Sequence, residues 1–189
     1  MVTLFIGGAR SGKSAHAERF SLALNEGPVA YFATLEDTSD ETAERIRGHR
    51  ARREHRPFDT QWLMRPDDYR PTSHTVALLD GLGVLVSQTM FLQQDGAWSE
   101  QSVEDVVRSV SDLLVRMADD YPHLIVVAPD VFRGDLPTDG TARYMEALGR
   151  ILQWITGKLH ADLVESVAGI LVGHRVTDPS LKGYLHDNA

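Results

Sequence analysis

The sequence predicts an α/β protein whose mostly parallel sheet is covered by helices on both faces. Short apolar runs recur along the chain, and they are continuous rather than alternating, which is typical of strands buried on both faces. Stretches rich in helix formers separate these runs. Hydrophobic residues make up 42% of the 189 residues, enough for a sizeable core. The length suits one domain, residues 1–189.

The first half of the chain alternates predicted strands with predicted helices. The predicted strands lie at 2–6, where two glycines follow, at 29–34 and at 75–80. A helix is predicted at 13–26, where Gly27 and Pro28 follow. A second is predicted at 39–54, where Ser39 is a good N-cap. Residues 55–75 are polar and contain three prolines, which predicts an irregular connection.

The second half continues the alternation. Apolar side chains at helical spacing predict an amphipathic helix at 99–121. The other predicted elements are a helix at 82–93, a strand at 123–129, a loop at 130–140, a helix at 141–160 and a last strand at 163–172. Ligands of such sheets bind at the carboxyl ends of the strands.

Composition excludes several classes of function. The formal net charge is −8, which argues against general binding of nucleic acid or anionic membranes. The absence of cysteine excludes disulfides and thiolate chemistry and suits a cytoplasmic location. The N-terminus lacks the features of a secretory signal, and no apolar run approaches the length of a membrane span.

The stretch "GGARSGKS" follows the first predicted strand and precedes the first predicted helix. It fits the phosphate-loop pattern G-x-x-x-x-G-K-[ST]. Backbone N–H groups and the helix N-terminus would hold phosphates, Lys13 would bridge the β- and γ-phosphates, and Ser14 would ligate Mg²⁺. The predicted nucleotide-binding residues are Gly7, Gly8, Ala9, Arg10, Ser11, Gly12, Lys13 and Ser14. The competing interpretation is a glycine turn between a strand and a helix, and the motif's spacing and context together favour the phosphate loop.

Asp80 ends the apolar run "VALLD". A carboxylate at the end of a strand beside a phosphate loop is well placed to hold Mg²⁺, directly or through water. The alternative is an N-cap for the following helix.

The stretch "RIRGHRARREHR" (45–56) is strongly basic. On a helix, Arg45, His49 and Arg53 share one face. This face could grip a triphosphate, with neutral His49 as a nucleophile, because neighbouring cations favour the neutral imidazole. The pattern alone favours the simpler interpretation, a solvated basic helix.

The segments "GGARSGKS", "AERF", "YFAT" and "RIRGHRARR" together resemble the adenosylcobinamide kinase/adenosylcobinamide-phosphate guanylyltransferase family. Weaker resemblance continues through "ALLDGL", "GDLP" and "SVAGILV" and spans nearly the whole chain. The first 55 residues carry most of its specificity. The chain departs from the family pattern after residue 53, at 54–62 and at 129–132.

The resemblance implies a phosphate-loop fold of the RecA-like kind and a homotrimer. It implies that ATP or GTP phosphorylates the aminopropanol hydroxyl of adenosylcobinamide, a corrinoid. GTP then guanylylates a histidine, and the GMP passes to the new phosphate. The family histidine falls on His49, two family arginines fall on Arg50 and Arg53, and a nucleotide-contacting segment falls on Thr34, Leu35 and Glu36. His55 matches no family position.

Two alternatives stay open. A small-molecule kinase with another acceptor needs only Lys13, Ser14 and Asp80. A nucleotide-binding module without catalysis is suggested by the altered segment "PDVF" at 129–132.

Overall fold

A computed structural model describes residues 1–24, 27–34, 56–94, 97–132 and 139–188. Its strands are β1 (Val2–Gly7), β2 (Val29–Ala33), β3 (Phe58–Trp62), β4 (Val76–Asp80), β5 (Phe91–Gln94), β6 (Ala97–Glu100), β7 (His123–Pro129), β8 (Asp162–Val167) and β9 (Ile170–Arg175). Its helices are α1 (Lys13–Ala23), α2 (Leu82–Met90), α3 (Val103–Asp120), α4 (Asp139–Lys158) and α5 (Pro179–Asp187).

Among the described residues, the predicted α/β class is confirmed by a seven-stranded sheet in the order β3-β2-β4-β7-β1-β8-β9. Adjacent strands are parallel except for β8 and β9, which pair antiparallel as a hairpin. One strand, β7, separates β1 from β4. This arrangement is consistent with a phosphate-loop fold of the RecA-like kind.

Helices cover both faces of the sheet, as the continuous apolar strands predict. One core lies between the sheet and helices α2, α3 and α4, and it contains Phe32, Leu79 and Val126. The other lies under α1 and α5 and contains Phe5 and Leu78. No helix in the parts of the chain that the structure describes combines the length and hydropathy needed to cross a membrane.

The predicted irregular connection at 55–75 is wrong for its first part, because residues 58–62 form β3 at the edge of the sheet. The strand sequence "FDTQW" is largely polar, since its side chains are mostly accessible to solvent. Its backbone is fixed by parallel pairing with β2, from Val29 opposite Phe58 to Ala33 opposite Trp62.

Two other predicted elements have different bounds. The helix predicted at 82–93 ends at Met90, where the chain enters the antiparallel pair β5–β6. The strand predicted at 163–172 is the β8–β9 hairpin, which turns at Ala168 and Gly169 with φ of 50° and 86°. The predicted helix at 39–54 lies outside the described residues.

Candidate phosphate-binding and transfer site

The segment from Gly7 to Ser14 joins β1 to α1 as a tight loop. Asp130 N donates to Gly7 O at 2.9 Å, which ties the start of the loop to the end of β7. Arg10 and Gly12 have φ of 58° and 92°, in the left-handed region. Glycine adopts this region without steric cost, so Gly12 suits its position at the start of α1. The helix N-terminus therefore opens into the loop, where it favours an anion.

The Lys13 ammonium lies over this loop. Its Nζ donates to Gly8 O at 3.0 Å, and Ser11 N donates to the same carbonyl at 3.3 Å. Lys13 is half-buried and faces the cavity described below. The lysine predicted to bridge phosphates is thus held at the mouth of the loop, from which it can reach a bound phosphate.

Ser14 and Asp80 meet across the carboxyl edge of the sheet. Ser14 Oγ donates to Asp80 Oδ1 at 3.0 Å, and Tyr31 OH donates to Asp80 Oδ2 at 2.6 Å. Tyr31 is buried in β2, the strand that pairs with β4. These contacts bring together the two predicted magnesium ligands and orient the carboxylate. They fit Mg²⁺, because hydroxyl and carboxylate oxygens are ligands that this cation prefers.

The turn after β4 is supported by Thr34. Its hydroxyl is buried and lies 2.9 Å from Gly81 O and 3.1 Å from Asp80 O, within reach of either carbonyl. Gly81 has φ of 107° and begins α2, and a side chain there would clash with Thr34. Thr34 thus fixes the backbone that carries Asp80, and its predicted contact with nucleotide stays a prediction.

The β8–β9 turn packs against the phosphate loop. Ser166 Oγ donates to Ser11 O at 2.7 Å, and Gly169 N donates to the same oxygen at 3.0 Å. A Cβ at Gly12 would lie 3.6 Å from Gly169 Cα, so the two backbones are in close contact. The turn therefore fixes the orientation of the Ser11–Gly12 peptide.

His16 joins this turn to α1. Arg19 Nη2 donates to His16 Nδ1 at 2.8 Å, so the ring proton lies on Nε2, which donates to Gly169 O at 3.0 Å. Burial lowers the pKa of His16, and the Arg19 guanidinium also lowers it, while the bond to Gly169 acts in the opposite direction. His16 is therefore a neutral donor whose tautomer is set by its two partners.

A cavity of about 810 Å³ opens beside the loop. Lys13, Ser14 and Asp80 line one end, and the last residues of β7 line another part of its wall. Residues of α2 and α4 close the remainder. Its volume is typical of a small-molecule site. The predicted phosphate-binding groups thus face a space of the size that small-molecule sites have.

Five predicted site residues lie outside the described residues: Leu35, Glu36, His49, Arg50 and Arg53. The competing His55 also lies there. Within the described ranges, no cluster of three or more histidine, aspartate or glutamate side chains could hold a metal ion.

Sequence reasoning missed the supporting residues Tyr31, Ser166 and Gly169. One signal was present, since a tyrosine in an otherwise apolar buried strand needs a partner for its hydroxyl. Ser166 and Gly169 gave no comparable signal, because their role depends on the hairpin turn that brings them to Ser11.

Comparison with known proteins identifies the family of this chain. A family model described as cobinamide kinase / cobinamide phosphate guanyltransferase matches residues 3–173. The bifunctional adenosylcobalamin biosynthesis protein CobU of Escherichia coli (strain K12) is 30% identical over 164 residues, covering 81% of this chain and 88% of that protein. The protein of the same name from Salmonella typhimurium (strain LT2) is 30% identical over 174 residues, with the same coverage.

The matched region contains the phosphate loop, Asp80 and the β8–β9 turn, so it includes every part of the site described above. The chain belongs to the cobinamide kinase / cobinamide phosphate guanyltransferase family.

Proposed function

We propose that this chain phosphorylates the aminopropanol hydroxyl of adenosylcobinamide and then transfers GMP from GTP to the new phosphate. The observation that carries the proposal is the meeting of Lys13, Ser14 and Asp80 at one end of a cavity of about 810 Å³. Family membership supplies the acceptor, and the geometry supplies the groups that phosphoryl transfer needs.

In the first reaction, the acceptor oxygen attacks the γ-phosphorus of ATP or GTP. The bond from that phosphorus to the β,γ-bridging oxygen breaks, the nucleoside diphosphate leaves and the hydroxyl proton is released. Backbone N–H groups of the loop and the Lys13 ammonium hold the phosphates in line. Ser14 and Asp80 would hold Mg²⁺, which when bound neutralises charge on the β- and γ-phosphates.

In the second reaction, a ring nitrogen of neutral His49 attacks the α-phosphorus of GTP and pyrophosphate leaves. A phosphate oxygen of the acceptor then attacks the guanylyl phosphorus, which forms the diphosphate bridge and restores His49. The phosphoramidate divides one difficult displacement into two easier ones. Arg50 and Arg53 would neutralise charge on the transferring group. Thr34, Leu35 and Glu36 would contact the nucleotide.

The resemblance also supports a homotrimer in the cytoplasm, with residues 1–189 as one nucleotide-binding domain. The exposed apolar side chains Val167, Ile170 and Val172 on the β8–β9 hairpin are compatible with self-association.

The test of the histidine intermediate is incubation with GTP labelled at the α-phosphate, in the presence of Mg²⁺. We expect acid-labile, base-stable label on the protein, and its complete loss in His49→Ala. The matched control is His55→Ala, which removes the other histidine of the basic segment and should keep the label. Label that survives in His49→Ala would refute the assigned nucleophile.

A kinase with no guanylyl transfer is the second candidate, because Lys13, Ser14 and Asp80 suffice for it. Corrinoid phosphorylation from ATP with no protein label in folded wild type would favour it. Binding of GTP with neither label nor corrinoid turnover would favour a module without catalysis.

A further inference from the structure

His16 is buried beneath the phosphate loop, one turn into helix α1. Its backbone N–H donates to Gly12 O at 3.0 Å. A Cβ at Gly12 would lie 3.6 Å from His16 Cδ2, so the imidazole ring lies close to the last glycine of the loop. Only 6% of the residue is exposed to solvent. A polar ring that is buried to this extent needs partners for its nitrogen atoms.

The Nε2 atom of this ring has its partner in the β8–β9 turn. It lies 3.0 Å from Gly169 O, across 153 residues of sequence. A carbonyl oxygen can only accept a hydrogen bond, so Nε2 carries the proton and donates it. The bond reaches a turn residue whose φ is 86°. His16 therefore anchors the carbonyl group of a residue that lies outside α1.

Gly169 connects this bond to the phosphate loop. Its N–H donates to Ser11 O at 3.0 Å, while its C=O accepts from His16. The two groups flank one Cα atom, so Gly169 is held on one side by the imidazole and on the other by the loop. Without the imidazole the Gly169 carbonyl would lose this partner, and glycine has wide backbone freedom. The N–H that holds Ser11 O therefore depends on His16 for its position.

Arg19 packs against the same ring. Its Nη2 lies 2.8 Å from His16 Nδ1 and 3.4 Å from His16 Nε2. A guanidinium can only donate, so Nδ1 remains an acceptor and the proton stays on Nε2, where the bond to Gly169 needs it. A cation beside the ring also disfavours a second proton on it. Arg19 thus favours the neutral form of His16 that can hold Gly169.

We infer that His16 is a positioning residue for triphosphate binding, which acts through Gly169 on the Ser11–Gly12 peptide and needs its ring proton on Nε2. The N–H of Gly12 belongs to that peptide, and backbone N–H groups of the loop are the proposed phosphate donors. This inference rests on the proposed function, because it concerns the triphosphate that the loop would bind there. It assigns a role to a residue that lies outside the motif at 7–14.

The experiment measures the dissociation constants of GTP and of guanosine for the wild type, His16→Asn and His16→Gln. The amide nitrogen of glutamine can take the place of Nε2 and keep the bond to Gly169, whereas the shorter asparagine cannot reach it. We expect His16→Asn to weaken GTP binding about three- to tenfold and His16→Gln to stay within about twofold of the wild type. Guanosine lacks phosphates, so its affinity should be the same in all three proteins.

His123→Asn is the matched control. His123 is also a partly buried histidine, but it begins β7, and the cavity is lined by the other end of that strand. Its Nδ1 has no hydrogen-bond partner among the residues that the structure describes. This variant should keep the GTP affinity of the wild type. An equal loss in His123→Asn and His16→Asn would reveal general destabilisation and contradict the positioning role.

A second measurement does not depend on His16→Asn. NMR spectra of the protein with ¹⁵N-labelled histidine distinguish the two neutral tautomers of an imidazole, and the signals of His16 are those absent from His16→Gln. At about pH 7.5 we expect a neutral His16 ring with its proton on Nε2. A proton on Nδ1 alone is incompatible with the bond to Gly169 and would overturn the inference, even if His16→Asn failed to fold.

The outcomes separate the two proposals. The same GTP affinity in His16→Asn and wild type, or a loss in His16→Gln as large as that in His16→Asn, would overturn the positioning role and leave the proposed function intact. Failure of folded wild type to bind GTP would overturn the proposed function and the positioning role with it.

Discussion

Ser166 donates its hydroxyl to the carbonyl of Ser11 at 2.7 Å, across a separation of 155 residues in the chain. Because a trans peptide is planar, its N–H points opposite to its C=O. The N–H of Gly12 therefore points away from the hairpin. Gly169 N reinforces this orientation with a second bond to the same carbonyl, at 3.0 Å. The phosphate loop is held in shape by a turn near the other end of the chain.

Ser166→Ala should weaken triphosphate binding about three- to tenfold, because the Ser11–Gly12 peptide loses one of its two anchors. Calorimetric titration with GTP measures the change. The unmodified nucleoside makes no phosphate contact, so its affinity should be unaffected.

Ser111→Ala is the matched control for this variant. Ser111 is also buried, but its hydroxyl lies on α3 and has no hydrogen-bond partner within the described residues. Equal losses of GTP affinity in the two serine variants would contradict the anchoring role of Ser166.

Tyr31→Phe should raise about tenfold the Mg²⁺ concentration required for half-maximal enhancement of GTP binding. The Tyr31 hydroxyl holds Asp80 Oδ2 at 2.6 Å, and partners of this kind typically alter metal affinity by ten- to a hundredfold when removed. Mg²⁺-dependent enhancement of GTP binding provides a readout that is independent of turnover. The same Mg²⁺ dependence in Tyr31→Phe and wild type would show that Asp80 needs no such support.

Protonation of His16 should destabilise the fold. Its pKa in the folded protein is below the ordinary value of 6.5, mainly because of burial. Between these two pKa values the unfolded chain binds more protons, so the free energy of unfolding rises with pH and falls as pH drops below 6.5. Above that value the effect is absent, since both states are neutral.

His16→Gln should flatten this pH dependence, because glutamine keeps an N–H donor and does not titrate. Denaturant unfolding at several pH values between about 5 and 7.5 measures it. Burial also lowers the pKa of His123, so part of the slope should remain. His186→Gln, at an exposed helix position, is the control. A slope that is identical in His16→Gln and wild type would contradict the assignment.

The central strands could be predicted because burial on both faces requires continuous apolar runs. The predicted strand at 75–80 and the observed Val76–Asp80 nearly coincide for this reason. The edge strand β3 could not be predicted in this way, because solvent reaches most of its side chains and only pairing with β2 defines it. The hairpin turn at Ala168 and Gly169 could not be predicted from the sequence, because its first residue is alanine, which rarely adopts a positive φ.

In the site too, residues of a contiguous motif could be predicted, whereas residues brought together only by tertiary packing could not. The phosphate loop is a contiguous motif, so its spacing alone indicated Lys13 and Ser14. Asp80 could be proposed because it ends an apolar run, and the structure brings it within 3.0 Å of Ser14. Ser166 and Gly169 carry no motif, and their contacts with Ser11 follow from how the β8–β9 turn packs against the phosphate loop.

Strand β7 contributes no charged or hydroxyl side chain to the reaction proposed here, yet it separates β1, whose following loop leads to Lys13, from β4, which ends at Asp80. Parallel strands lie about 4.8 Å apart, so β1 and β4 are roughly 10 Å apart at their ends. Val127, Ala128 and Pro129, at the end of β7, line the cavity between these two strand ends. The depth of the site is therefore set by the end of a strand whose residues there are chemically inert. Selectivity for acceptor size can change through this strand while the catalytic groups remain as they are.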